Sequence, residues 1–164
     1  MESKVVKSDF TKLDGFIKAL NSNYVVRVGI MGAKNGRSDP KSKGQSNADI
    51  GFIHEFGRPG TGRRPAIPER SFLRMPLLVK AQRIIDETIQ AGVFKNLMKG
   101  DMKQVMTDLG IACERAILDA FDTGGFGTWA RNTAYTLAHK KGNSPLIDLG
   151  FLRKSIASEV VKKS

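Results

Sequence analysis

Two segments place residues at spacings that enzymes use for chemistry. His54 and Glu55 are adjacent, as in the zinc-protease pattern, where a second histidine stands three residues after the glutamate and completes the metal ligands. Arginine occupies that position, so the second ligand is missing. Segment 32–38 resembles a phosphate-binding loop, but it is one residue short between its glycines, has Arg37 in place of lysine, and precedes no helical pattern. Neither segment supports its enzyme motif.

The remaining reactive side chains are few. His54 and His139 are the two histidines, and each could act as a general base, but neither has a nucleophile or carboxylate arranged beside it in the sequence. Cys113 is the single cysteine, which leaves no internal disulfide or cysteine-cluster metal site, and its apolar neighbours at helical spacing predict a buried structural role. The glycine-rich segment 124–127 follows a helical pattern, so it predicts a turn. We therefore expect no catalytic residue, metal site or cofactor, and no enzyme activity.

The net charge of +11 lies mainly in two loops. Segment 33–46 carries four basic residues against Asp39, and segment 58–74 carries five arginines against Glu69. Such segments attract nucleic-acid phosphates or acidic protein surfaces. The first loop supplies the candidates for contact with DNA or a partner: Lys34, Arg37, Lys41 and Lys43.

Periodicity predicts the elements in the first half of the chain. A helix with an apolar face is expected after Ser8, and the face comprises Phe10, Leu13, Phe16, Ile17 and Leu20. Alternating β-branched residues predict a strand over 24–31. The pair Ser46 and Asp49 has capping-box spacing and predicts a short helix that ends at Gly57. The residues expected to face inward from this helix are Ala48, Phe52, Ile53 and Phe56.

The second half is predicted to be mainly helical. One helix is expected over about 75–99, and a second begins after Asp101, which can cap it; the two form an antiparallel pair or one helix kinked at Gly100. Segments 129–141 and 146–153 predict short helical turns, and 156–161 alternates and predicts a strand that returns to the sheet. No apolar run approaches the roughly 18 residues of a membrane span, so we expect no membrane association.

The predicted fold class is therefore α+β: a small antiparallel or mixed β-sheet packed against a long helix pair, with extended basic loops. We expect a single domain over 1–164, with a flexible loop at 32–46 and an extended arm at 57–71. Three prolines and several glycines argue against regular structure in that arm.

The chain resembles a known family in two blocks. The first block reads NADIGFIHEFG, then a basic Gly/Pro arm, then IPERSFLR, over 47–74. The second contains Trp129, Thr133, Thr136 and Lys140, followed by LIDLGFLRKSI over 146–156. Together they resemble the tail-completion, or head–tail joining, proteins of the tailed-bacteriophage neck, also described as minor tail or virion morphogenesis proteins. Ser71 and Leu149 depart from that pattern, where proline and threonine are usual.

The resemblance implies a structural virion protein of the phage neck, assembled in the host bacterial cytoplasm. Such a protein completes the tail and joins it to the head connector as a homo-oligomeric, hexameric ring around the DNA channel. Its implied partners are the head-completion or connector protein and the tail terminator or tail tube protein, with non-specific contact to genomic DNA. The charge alone also fits an alternative, a nucleic-acid-binding protein without sequence specificity.

Ring assembly requires surfaces that reach neighbouring subunits. The predicted interface residues are Arg58, Arg63, Arg64, Arg70, Phe72 and Leu73. Phe72 and Leu73 anchor the end of the arm in an apolar pocket, on this subunit or on the next one.

Overall fold

The computed structural model describes residues 11–38, 43–62, 64–140 and 142–163, and it confirms the α+β class. The described part contains eight α-helices and one two-stranded sheet. The helices are α1 (Thr11–Leu20), α2 (Asn47–Phe56), α3 (Arg74–Val79), α4 (Ala81–Gln90), α5 (Val93–Met98), α6 (Met102–Thr123), α7 (Ala134–Ala138) and α8 (Phe151–Lys154). The strands are β1 (Tyr24–Ile30) and β2 (Ile156–Lys162).

The sheet joins the two ends of the described chain. β1 and β2 pair antiparallel, from Tyr24 opposite Lys162 to Ile30 opposite Ile156, which confirms both predicted strands. The sheet packs on α6 at Gly110, where an added methyl group would come within 2.6 Å of the Ser158 hydroxyl. Beside it, the backbone N–H and hydroxyl of Ser158 donate to the Glu114 carboxylate. The missing side chain at Gly110 therefore allows helix and sheet to approach closely.

The helix expected over 75–99 is three shorter helices. α3 gives way to α4 at Lys80, and Gly92 separates α4 from α5 because it adopts a left-handed conformation (φ 96°). α4 runs antiparallel to α6, since the Arg83 guanidinium contacts Asp119 while Arg115, one turn earlier on α6, lies 3.7 Å from Glu87. The predicted cap of α6 is confirmed: Asp101 accepts a hydrogen bond from the Gln104 N–H at 3.0 Å.

The main core lies between α6, the start of α3 and the C-terminal segment. Phe72 and Phe121 are fully buried with ring centroids 5.3 Å apart, and Trp129 meets Phe121 edge-on at 5.8 Å. Leu152 and Ile156 complete the cluster. Aromatic packing of this kind fixes the two ends of segment 72–129 relative to one another.

The apolar side of α1 faces outward. Leu13, Ile17 and Leu20 are about half exposed, and only Ala19 is buried. α1 contacts α5 through Gly15, where an added methyl group would lie 2.4 Å from the Met98 carbonyl oxygen. Ser8 and Phe10, the expected cap and first apolar residue, lie outside the described residues.

Candidate functional site

Glu55 organises the first motif block. The residue is 3% exposed at the end of α2, and its carboxylate accepts hydrogen bonds from the N–H groups of Phe72 (2.8 Å), Leu73 (2.9 Å) and Arg74 (3.1 Å). The Ser71 hydroxyl (2.7 Å) and Arg74 Nε (2.9 Å) also donate to it. Burial alone would raise the pKa of Glu55, but the bonds from Leu73, Ser71 and Arg74 outweigh it and hold the pKa below its ordinary value. An ionised glutamate therefore caps α3 from a distant point in the sequence.

The segment between Glu55 and Phe72 folds back on itself. Arg58 and Ile67 exchange two backbone hydrogen bonds of 2.8 Å, and Thr61 and Arg64 do the same nearer the tip. Gly57 starts the segment with φ 71°, a conformation that glycine adopts readily. The prediction of an extended arm at 57–71 is therefore wrong: this segment is a narrow hairpin, because its glycines permit a tight reversal that its prolines do not block.

The predicted interface residues at the base of this hairpin lie inside the subunit. Phe72 is fully buried, and Leu73 is half-buried against the same core. Arg70 is 6% exposed and donates to the carbonyl oxygens of Ala130 (2.9 Å) and Arg131 (3.2 Å). The interface prediction is wrong for Arg70 and Phe72, because both contact the second motif block of their own chain. The Phe72 anchor thus lands in its own subunit.

None of the remaining predicted basic residues that the structure describes is fully buried. Arg64 is exposed near the hairpin tip and Arg58 is half-buried, while Arg63 lies outside the described residues. Lys43 is exposed, and Lys41 is also outside the described residues.

Lys34 and Arg37 instead make contacts within the chain. Lys34 Nζ donates to the Ile156 carbonyl oxygen at 3.1 Å. Arg37 donates to Asn47 Oδ1 at 3.2 Å, and its guanidinium lies 5.1 Å from the ring centroid of Phe151. The described part of the loop at 32–46 is therefore attached to the start of β2, to α2 and to α8 through Lys34 and Arg37.

α2 presents its aromatic side to solvent. The capping box at Ser46 and Asp49 and the stop at Gly57 are confirmed, but Phe52 and Phe56 are 67% and 50% exposed, with ring centroids 4.8 Å apart. The prediction that these phenylalanines face inward is wrong, and Ala48 and Ile53, also expected inside, are half-buried.

The buried residues of α2 are Asn47, Gly51 and Glu55, four residues apart on one face. Asn47 donates to the carbonyl oxygens of Lys34 and Gly36, and Gly51 lies under Ile30 and Phe72. Hydrophobicity does not predict this face, because two of its three residues are polar and the third is glycine. The sequence does contain one indication of this face: Gly51 lies four residues from both Asn47 and Glu55, whose side chains form strong hydrogen bonds.

A cavity of about 710 Å³ lies where the two motif blocks meet. The hairpin, α2, α7 and the turn before α8 form its walls. Apolar side chains line much of it, including Ile50, Ile67, Leu146 and Phe151. His54, Arg70 and Lys140 add basic groups, and Asp148 adds an acid. No sequence pattern indicated this cavity, because segments far apart in the chain build it.

Basic side chains outnumber acidic ones in the lining of the cavity. Burial, together with the nearby charges of Arg70, Lys140 and Arg37, lowers the pKa of His54 to about 4. His54 Nδ1 is buried without a hydrogen-bond partner in the described part of the chain. Burial also lowers the pKa of Arg70 and of Lys140, although Asp148 opposes the shift at Lys140. At neutral pH the site therefore combines a neutral imidazole with cationic groups.

The enzyme-like segments have structural roles. Segment 32–35 forms a 3-10 turn, and the Asn35 side-chain oxygen accepts the N–H of Ala48 at 2.8 Å. The glycines at 124 and 125 end α6, and Gly125 lies directly against the Trp129 ring. Among the described residues no group of three or more His, Cys, Asp or Glu side chains is placed to hold a metal ion.

Comparison with protein-family models, with curated proteins and with solved structures finds no match to this chain. Within the described ranges, no helix has the length and apolar character needed to cross a membrane.

Proposed function

We propose that this protein is a structural subunit of the tailed-bacteriophage neck, which completes the tail and joins it to the head connector as a hexameric ring around the DNA channel. The two blocks that resemble that family are physically coupled here. Arg70 of the first block bonds to the backbone of the second, and Trp129 Nε1 of the second donates to the Ser71 carbonyl oxygen at 3.3 Å. Because these hydrogen bonds position each block against the other, a chain that has one block needs the other for the same local structure.

The exposed phenylalanine pair on α2 is the observation that carries the proposal. A monomeric protein usually buries aromatic side chains, and contiguous exposed apolar groups are typical of protein interfaces. Phe52 and Phe56 project from a helix that is fixed at both ends, by the Ser46 cap and by the Glu55 bonds to α3. The pair is thus a rigid apolar surface suited to a neighbouring subunit.

The sheet offers a second contact surface. β1 and β2 pair only with each other among the described strands, so each keeps one free edge. A two-stranded sheet is marginally stable alone, and free edges accept further strands. Addition of a strand from a neighbour would extend the sheet across subunits of a ring.

The hairpin carries an exposed positive charge near its tip. Arg64 is exposed there, and an exposed guanidinium can contact acidic neighbours or DNA phosphates in the channel. Replacement of Arg64 with glutamate is expected to impair joining while the chain still folds, because its side chain is on the surface. Lys95→Glu, an equal charge reversal at an exposed site on α5, is the control.

The test is removal of the gene from the phage that carries it. The proposal predicts heads and tails that accumulate separately, as seen by electron microscopy of lysates, with joining restored by the wild-type gene. Normal joined and infectious particles without the gene would reject it. Strong, salt-sensitive DNA binding by the isolated monomer together with normal joining would favour the nucleic-acid-binding alternative.

A further inference from the structure

The cavity between the hairpin, α2, α7 and α8 contains a buried cation, Arg70, that forms no ion pair within the part of the chain that the structure describes. Arg70 donates to two carbonyl oxygens and forms no ion pair with a carboxylate among the described residues. Its neighbour Glu69 turns away to Arg74, at 3.0 Å. A buried cation without a carboxylate is costly, and an anionic ligand reduces that cost.

Other basic groups face the same space. Arg37, His54, Arg70 and Lys140 all line this cavity, and the charges of the other three act on the His54 ring. His54 Nδ1 is buried and has no hydrogen-bond partner among the described residues. Asp148 also lines the cavity and raises the pKa of Lys140, against the effect of burial. Since Arg37, Arg70 and Lys140 outnumber it, the lining is predominantly basic.

The walls restrict the kind of anion. Ile67, Leu149 and Phe151 line the cavity, and they gain contact only with an apolar group. Its volume, about 710 Å³, is in the range that takes a drug-sized molecule or a few side chains of an extended peptide. A phosphate backbone supplies charge but leaves these walls without a partner.

We propose that the cavity binds an acidic peptide segment of a partner protein, with a carboxylate directed at Arg70 and Lys140 and an adjacent apolar side chain against Leu149 and Phe151. This site lies apart from the free sheet edges, and its ligand chemistry does not depend on the neck role. Ionic contacts to the basic groups give the segment its orientation, and the apolar wall gives it specificity over inorganic anions.

The test uses a fluorescein-labelled hexapeptide of alternating leucine and glutamate, titrated with the purified full-length chain and followed by fluorescence anisotropy. The same peptide with glutamine for glutamate is the neutral control. We expect the acidic peptide to bind at least tenfold more tightly and to shift the His54 ring signals in NMR spectra. Equal affinity for both peptides, or no shift of the His54 signals, would overturn the proposal.

Two variants with matched controls locate the site. Lys140→Gln should weaken acidic-peptide binding about tenfold, whereas Lys162→Gln, on the exposed end of β2, should leave it unchanged. Leu149→Ala removes part of the apolar wall at a side chain that is 44% exposed, and should weaken binding about fivefold. Leu137→Ala, 41% exposed on α7 and outside the cavity, is its control. Equal effects within either pair would contradict the assignment.

Nucleic acid and free anion are tested in the same assay. A thymidine oligonucleotide and inorganic phosphate should compete only weakly with the acidic peptide. If either one displaces the peptide at equal concentration, as seen in the His54 NMR signals, the cavity binds phosphate rather than an acidic peptide and the proposal is rejected. Failure of peptide binding would leave the joining experiment, and hence the proposed function, unaffected.

Discussion

Replacement of Glu55 with glutamine tests the central contact of the first motif block. The substitution keeps the shape of the side chain and removes its charge. The carboxylate accepts five hydrogen bonds, three of them from backbone N–H groups at the start of α3. Glutamine has one acceptor oxygen and places its own N–H₂ group among those donors.

The expected loss of stability follows from these bonds. About two donors lose their partner, and each unsatisfied buried donor costs about 1–3 kcal/mol. We therefore expect the free energy of unfolding to fall by about 3 kcal/mol at neutral pH. Urea unfolding followed by circular dichroism measures it.

Glu69→Gln is the matched control. It removes the same charge from a side chain that also pairs with Arg74, but Glu69 is exposed, so we expect a change within about 0.5 kcal/mol. A loss below about 1 kcal/mol at Glu55, or equal losses at the two positions, would refute the capping role.

The same contact predicts a dependence on pH. The folded pKa of Glu55 lies below its unfolded value, so its contribution is complete above the unfolded pKa, 4.5, and is lost as pH falls through the folded pKa. The stability difference between wild type and Glu55→Gln should therefore shrink on acidification below that value. A difference that stays constant down to pH 2 would contradict the ionised state.

Three further predictions concern other parts of the chain. Phe52→Ser combined with Phe56→Ser should change the free energy of unfolding by no more than about 1 kcal/mol, because both side chains are exposed, but should abolish head–tail joining. The control, Ile111→Ser on the exposed side of α6, should leave joining intact. Unchanged joining in the double variant would contradict the interface. Gly51→Val should destabilise by about 2 kcal/mol or more in urea unfolding, because an added methyl group would lie 2.8 Å from a core side-chain atom; a neutral result would contradict the close packing. NMR titration should give a pKa of about 4 for His54 in the folded chain. The unfolded chain binds this proton at a higher pH, near 6.5, so protonation favours unfolding and the stability contributed by His54 should fall as pH falls from 6.5 to 4. A measured pKa near 6.5 would contradict the burial of His54.

Local signals predicted much of the fold. The capping residues Ser46 and Asp101 and the alternation in β1 and β2 act over a few residues, and all were placed correctly from sequence. The break at Gly92 was missed because a single glycine in an apolar pattern costs only about 1 kcal/mol in a helix, too little to decide from sequence.

Non-local contacts explain the other errors. Hydrophobicity placed Phe52 and Phe56 inside, but the carboxylate of Glu55 has partners 16 to 19 residues away in the sequence, and these partners determine which face of α2 is buried. The cavity likewise depends on Arg70 reaching segment 130–131. No local pattern specifies a contact across such separations.

Imaging of the virion tests the neck assignment most directly. Cryo-electron microscopy of the phage that carries this chain should show, between the head connector and the tail tube, a ring whose subunits match α6, the β1–β2 sheet and the hairpin. We expect Phe52 and Phe56 at a contact between neighbouring subunits of that ring. Density for this chain elsewhere in the particle, or a complete head–tail junction built without it, would contradict the proposal.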